Sequence, residues 1–289
     1  MKKSSKRKLL LLAGFIMIFM AACASNTGPD GNIKPEKIIY IATTFQEVFK
    51  NSWFDAFFVW PVAQLINFIS QHINVVWGIG ITTVIFNIIT FPITLRSQEN
   101  QRKMQLLQPE QDKLNKKYEG RNDERSQQAK AQELQRLYKE HDIKLSSTFL
   151  GLFIQLPVMM AMLYGAQRAN AVIEGTFLGY SLKTNLGSGV ASLQVFYIVV
   201  FVVAAVVQFA SMKLPSYLTK QELKKDHRVK EYARPANDGG MNNDMTTNMM
   251  TVMIVVFSLS WPAAMSVYWI FSGLMNVVKT LIVQKMKVK

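Results

Sequence analysis

The chain has 289 residues, 49% of them hydrophobic, with 33 Lys or Arg against 19 Asp or Glu and a formal charge of +14. A composition at once this apolar and this basic fits a membrane protein with positively charged loops and excludes an ordinary soluble domain. The single cysteine excludes internal disulfides, and His72, His141 and His227 lie too far apart for zinc-ligand spacing, so neither a metal nor a small-molecule cofactor is expected.

Residues 1–22 read as a signal peptide. Lys2, Lys3, Lys6, Arg7 and Lys8 precede the apolar run Leu9 to Met20, which is too short to span a bilayer and ends at Ala21-Ala22-Cys23. Cys23 sits where lipoprotein processing would place it, and lipidation there is expected; ordinary signal cleavage leaving a free thiol is the alternative. Residues 23–50 then form a lipid-anchored extracellular tether. Within 51–72 the aromatic residues Trp53, Phe54, Phe57, Phe58, Trp60 and Phe68 predict an amphipathic helix lying in the outer interface, while Asp55 and Pro61 argue against a span.

Five segments are long and apolar enough to cross: 73–96, 147–168, 193–213, 246–261 and 264–284, the last two separated by Pro262. The fold class is therefore all-α, with five transmembrane helices. An outer start places the C-terminus inside. Loop charge tests this independently: twelve Lys or Arg lie between Arg96 and Lys144, seven between Lys213 and Arg234, and four from Lys279 onward, against five in the presumed outer stretches after the signal peptide. The chain is thus expected to be a multi-pass protein of the cell (plasma) membrane.

Residues 97–146 form a charged cytoplasmic stretch rich in helix formers and broken by Gly120-Arg121-Asn122-Asp123, which predicts a helical hairpin. Leu106, Leu107, Leu114 and Tyr118 can face Leu134, Leu137 and Tyr138 across it. Such a hairpin is either a solvated charged structure or a docking surface. Residues 169–192 form an extracellular loop, 214–245 a basic cytoplasmic loop and 285–289 a basic cytoplasmic tail.

The spans carry polar residues at helical spacing. Thr83, Asn87, Thr90 and Thr94 share one face of the first span, and Trp269, Ser272, Asn276 and Lys279 one face of the last; the second has Thr148 and Gln155, the third Gln194, Tyr197, Gln208 and Ser211. An amide without partners in hydrocarbon is costly, so these faces turn towards one another or towards water. Two readings stay open: interhelical hydrogen bonding, which suits Ser and Thr, and a shared wet cavity, which suits the long amides Asn87, Gln155 and Gln208. No acidic residue lies within a span, no nucleotide-binding glycine pattern occurs and no catalytic constellation can be assembled at membrane depth, so an enzyme is not expected.

Phe91-Pro92-Ile93-Thr94, Met104-Gln105-Leu106-Leu107-Gln108-Pro109-Glu110, Ile154-Gln155-Leu156-Pro157, Trp261-Pro262-Ala263-Ala264 and Val267-Tyr268-Trp269 together resemble the YidC insertase family, in order over about residues 50–283. The lipoprotein start and lack of a large outer domain are similar to its Gram-positive branch. The resemblance implies a membrane insertase and chaperone with a hydrophilic groove open to lipid and cytoplasm. Its clients would be nascent membrane proteins, its surroundings membrane lipids, and the Sec translocon and the ribosome its further candidate partners. The groove residues it implies are Asn87, Gln155, Gln208 and Trp269, with Thr83, Thr90, Ser272 and Asn276 beside them and Arg96 at the cytoplasmic rim. The family expects an arginine five residues before the proline of the first span, where this chain has Asn87, so a groove hydrated without charge at that point is expected. The rival readings are a lipid-anchored scaffold or translocon partner whose basic loops bind anionic lipid or RNA, and a small-molecule transporter.

Overall fold

The computed structural model describes residues 33–121, 123–143, 145–225 and 243–286. The expected signal peptide, lipidation at Cys23, most of the basic loop 214–245 and the last three residues of the tail lie outside them. The described chain is mostly helical, with one short hairpin of β1 (Thr176–Phe177) and β2 (Tyr180–Ser181).

Its helices are α1 (Phe45–Asn51), α2 (Trp60–His72), α3 (Val75–Leu106), α4 (Gln108–Lys117), α5 (Glu124–Glu140), α6 (Leu145–Arg168), α7 (Asn170–Glu174), α8 (Leu186–Ala191), α9 (Val195–Lys225), α10 (Asn243–Ser258) and α11 (Ala263–Met286). Among the described residues three, α3, α9 and α11, are long and apolar enough to cross a membrane. Helix α6 has 24 residues. Helix α10 has 16, about 24 Å of rise against the ~30 Å of a bilayer's hydrocarbon core.

The chain forms two compact units, one of the described residues up to Thr82 with Met159–Lys183, the other of Thr83–Val158 with the described residues from Thr184 onward. In the first unit the expected helix over 51–72 is interrupted. Helix α1 starts at a capping box between Thr44 and Glu47 and ends at Asn51, a π-turn covers Asp55–Val59, and α2 begins at Trp60. Ser52 leaves the helical conformation, and Pro61 stands in the first turn of α2, where its missing N–H costs no ladder bond. Ala56, Val59, Val62, Ala63 and Ile66 bury one side of this stretch, and Met162, Ala166 and Ala169 are buried in the same unit; α6 comes so close at Gly165 that a Cβ there would overlap Val62 Cγ1. Trp53, Phe57 and Phe68 stay exposed on it.

A polar clasp ties the first unit together. Arg168 and Asp55 are both buried, with Arg168 Nη1 2.7 Å from Asp55 Oδ2. Arg168 Nε donates to the Lys37 carbonyl at 2.7 Å. Asn67 donates to the Ile39 carbonyl at 2.6 Å and accepts from the Ala171 N–H at 2.9 Å. The segment entering at Ile33 is thereby held by side chains of α2 and α6, which satisfies backbone groups that would otherwise be buried alone.

In the second unit α3 runs on past Arg96 to Leu106, one long helix where a span and a separate hairpin helix are expected from sequence. It breaks at Leu107 because Pro109 fits only the first turn of a new helix, α4. Leu107, Tyr138 and Ile143 form a small core with Met104, Leu134 and Leu137 against it. Lys117 and Tyr118 on one arm both hydrogen-bond Glu133 on the other, at 2.7 and 2.9 Å. The Lys117 hydrogen bond, followed by that from Tyr118, holds the Glu133 carboxyl below its ordinary range. A carboxylate depressed in this way stabilises the fold above its ordinary pKa, and that contribution is lost as pH falls through the folded value. Glu133→Gln is accordingly expected to loosen the hairpin at neutral pH, seen as faster amide exchange across Gln108–Glu140, with the difference from wild type closing as pH drops below about 4.

Helices α9 and α11 pack closely because Gly273 has no side chain: a Cβ there would lie 2.7 Å from Val207 Cγ1. The α10–α11 link is pinned by residues 184–187, with Ala263 N–H donating to the Thr184 carbonyl at 2.9 Å, Leu186 N–H to Trp261 at 2.9 Å and Gly187 N–H to Leu259 at 2.8 Å. Gly187 is required for that approach, since a Cβ would stand 2.6 Å from the Leu259 carbonyl oxygen.

Candidate functional site

A cavity of about 340 Å³ opens in the second unit. Helix α3 lines it with Thr94, Gln98, Gln101, Arg102 and Gln105, α6 with Gln155, α9 with Gln208, Ser211 and Thr219, and α11 with Asn276, Thr280 and Gln284. The wall is thus mostly amides and hydroxyls, with no acid and one cation, Arg102. Such a lining offers a polar guest the donors and acceptors that hydrocarbon lacks.

Three of the expected groove residues, Gln155, Gln208 and Asn276, come together on this wall. The others take different places. Thr90 donates to the Phe86 carbonyl at 2.9 Å, the back-bonding that satisfies a hydroxyl on a helix in lipid. Thr83 is fully buried. Trp269 stacks on Trp261, ring centres 5.2 Å apart, and neither it nor Ser272 is among the lining residues. Arg96 is exposed and is not among the lining residues, so the cation on the cavity wall is Arg102, two turns further along α3.

The expectation of an uncharged site at Asn87 is corrected by its neighbour. Lys279 of α11 is only 2% exposed, and its Nζ donates to Asn87 Oδ1 at 2.7 Å. Asn87 Nδ2 in turn donates to the Thr83 carbonyl at 2.9 Å, which fixes the amide with its oxygen towards the lysine. Among the described residues no carboxylate pairs with Lys279. Asn276 and Thr280, which flank Lys279 along α11, line the cavity. A basic nitrogen is therefore buried at this point, supplied by the last helix instead of the first.

Sequence reasoning set Lys279 on the polar face of the last span but counted it with the cytoplasmic charges and gave it no groove role, and it passed over Arg102, Gln98, Gln101 and Gln105. A signal for them exists. Thr94, Gln98, Gln101 and Gln105 recur at steps of four, three and four, continuing the polar face of the first span beyond the residue where its hydropathy ends.

At the far end of this face, Arg102 forms an ion pair with Glu222 of α9 and donates from Nη1 to the Val283 carbonyl of α11 at 3.2 Å. Thr219 donates to Gln105 at 3.1 Å one turn away. The three helices α3, α9 and α11 are bridged here by side chains of α3.

Comparison with known proteins identifies the family. Residues 65–289 match the family described as 60Kd inner membrane protein. The chain is 30% identical to membrane protein insertase YidC of Alkalihalophilus pseudofirmus over 78% of this chain and 79% of that one. It is 26% identical to membrane protein insertase YidC 2 of Bacillus anthracis over 98% and 96% of the two chains. With membrane protein insertase MisCA of Bacillus subtilis it shares 24% identity over 98% and 94%. A match over most of the chain, together with three apolar helices and a polar cavity among them, makes this a membrane protein that belongs to the YidC family.

Proposed function

We propose that the protein is a membrane insertase and chaperone that needs no covalent chemistry. Its polar cavity receives the hydrophilic flank of a client and the client's apolar span passes into lipid. The observation that carries this reading is the lining: long amides from four different helices converge on one cavity in a chain whose relatives are named insertases. A polar tail entering bare hydrocarbon meets a barrier of several kcal/mol per unsatisfied group. Amides waiting on the cavity wall lower that barrier, and the apolar span supplies the drive for the rest.

Lys279, held on Asn87, supplies the positive charge of the groove. The topology has five crossings, with the lipid-modified Cys23 end outside and the C-terminus in the cytoplasm; the distribution of Lys and Arg supports it. In that orientation the cavity lies in the cytoplasmic halves of α3, α9 and α11, the side from which clients arrive. The short helix α10 suits a locally thinned bilayer. The charged hairpin α4–α5 recruits clients, and the Sec translocon and the ribosome are further partners met at the basic cytoplasmic loops.

The test is reconstitution of the purified protein into phospholipid vesicles with a single-span client, scored as protease-protected client. Protection that requires the protein, and that falls at least about threefold when Gln155 and Gln208 are both replaced by Leu, is the expected result; roughly one lost hydrogen bond per amide is enough for that. Equal protection with and without the protein would end the proposal.

A further inference from the structure

We infer that Glu222 is a resident counter-anion, seated on Arg102 at the end of the cavity, which a client's carboxylate displaces when it enters. The inference rests on the insertase reading and adds a specificity-determining pair to it.

The two partners are unequal. The Arg102 side chain is 10% exposed and lines the cavity, whereas that of Glu222 is 37% exposed and does not. The guanidinium is anchored independently of Glu222, by the Nη1 donation to the Val283 carbonyl. Its Nε is buried with no hydrogen-bond partner among the described residues, so the planar fork has a donor to spare for a second acceptor. An acid arriving along the cavity meets this fork directly.

Exchange of carboxylates is chemically economical. Arg102 keeps one anionic partner and the charge count at the buried site stays constant, while the displaced Glu222, already more than a third exposed, is rehydrated. A buried arginine without any partner would be costly, which explains why the chain carries an acid beside the cavity when the cavity wall itself has none. The Thr219 to Gln105 hydrogen bond, one turn away, keeps α9 in reach of α3 while the exchange takes place.

A purely structural ion pair makes a different forecast. Its loss would weaken the protein and reduce insertion of every client alike. The resident counter-anion competes only with clients that bring an acid. The full-length protein in phospholipid vesicles is given two single-span clients identical except for Asp or Asn in the translocated tail, and the ratio of protease-protected Asp client to Asn client is measured. In Glu222→Gln that ratio is expected to rise about threefold, the weight of one partly exposed charge pair, and in Arg102→Gln to fall below wild type. An unchanged ratio in Glu222→Gln, or an equal loss of both clients, overturns the inference while wild-type insertion upholds the insertase reading. No insertion of either client by the wild type overturns both. Should Glu222→Gln yield little folded protein, the exchanged pair Arg102→Glu with Glu222→Arg retains the tie between the helices; a ratio below wild type supports the inference and a preserved ratio overturns it.

Discussion

Replacing Arg168 by Met is expected to cost about 3–5 kcal/mol of stability, the largest single-site effect foreseen in this protein, because it leaves a buried carboxylate without its partner. Asp55 and Arg168 are 6% and 3% exposed, and the guanidinium stands 2.7 Å from the carboxylate. The same side chain also satisfies the Lys37 carbonyl, so its loss removes a hydrogen bond to the incoming segment as well. The nearby Lys37 amine, 3.9 Å from Asp55 and partly solvated, is too distant and too hydrated to take over. Chemical unfolding of the intact protein in detergent measures the loss. The double variant Asp55→Leu with Arg168→Met should recover most of it, since an apolar pair of similar volume often matches a buried ion pair. A double variant as weak as the single one would place the stabilisation in the Lys37 contact instead.

The second large effect separates function from stability. Lys279→Met should lower insertion of a client with an acidic tail about tenfold, equivalent to ~1.4 kcal/mol, while leaving the protein as stable as wild type or more so. The two signs follow from one observation. A lysine that is 2% exposed and meets only an amide oxygen is a net burden on the fold, and it is retained for what it binds. Lys279→Arg should keep most of the activity, because the charge remains within reach of Asn87. Insertion yield and unfolding midpoint, measured on the same preparations, check both parts. A joint fall in the two would make Lys279 a structural residue.

The helical class and membrane character could be read from composition and from the apolar runs at α3, α9 and α11, where twenty or so consecutive residues leave little choice of structure. Spacing also marked Gln155, Gln208 and Asn276, since long amides at helical intervals in a span must find polar company. Spacing alone did not separate them from Thr83 or Thr90; side-chain chemistry does, because a hydroxyl can return to its own backbone, as Thr90 does, and an amide placed deep in a span rarely can. Helix α3 carried the cavity face beyond Arg96, where polarity suggested an ending, and so Arg102 was missed. Lys279 was placed on the polar face of the last span but given no groove role: at the end of an apolar segment a lysine is usually a snorkelling charge, and only the position of α3 shows that this one turns inward. The pairing of Asp55 with Arg168 joins residues far apart in sequence, which no local pattern encodes.

The central claim is that the polar flank of a client occupies the cavity during insertion. A photo-crosslinking residue placed at Gln155 or Gln208, which line the cavity, is compared with one at Val206, 62% exposed on the same helix as Gln208. With a client halted midway into vesicles, the account predicts adducts to the client's polar tail from Gln155 and Gln208 and none to that tail from Val206. Tail adducts from Val206 at equal yield, or none from the cavity positions while the client still inserts, would contradict it.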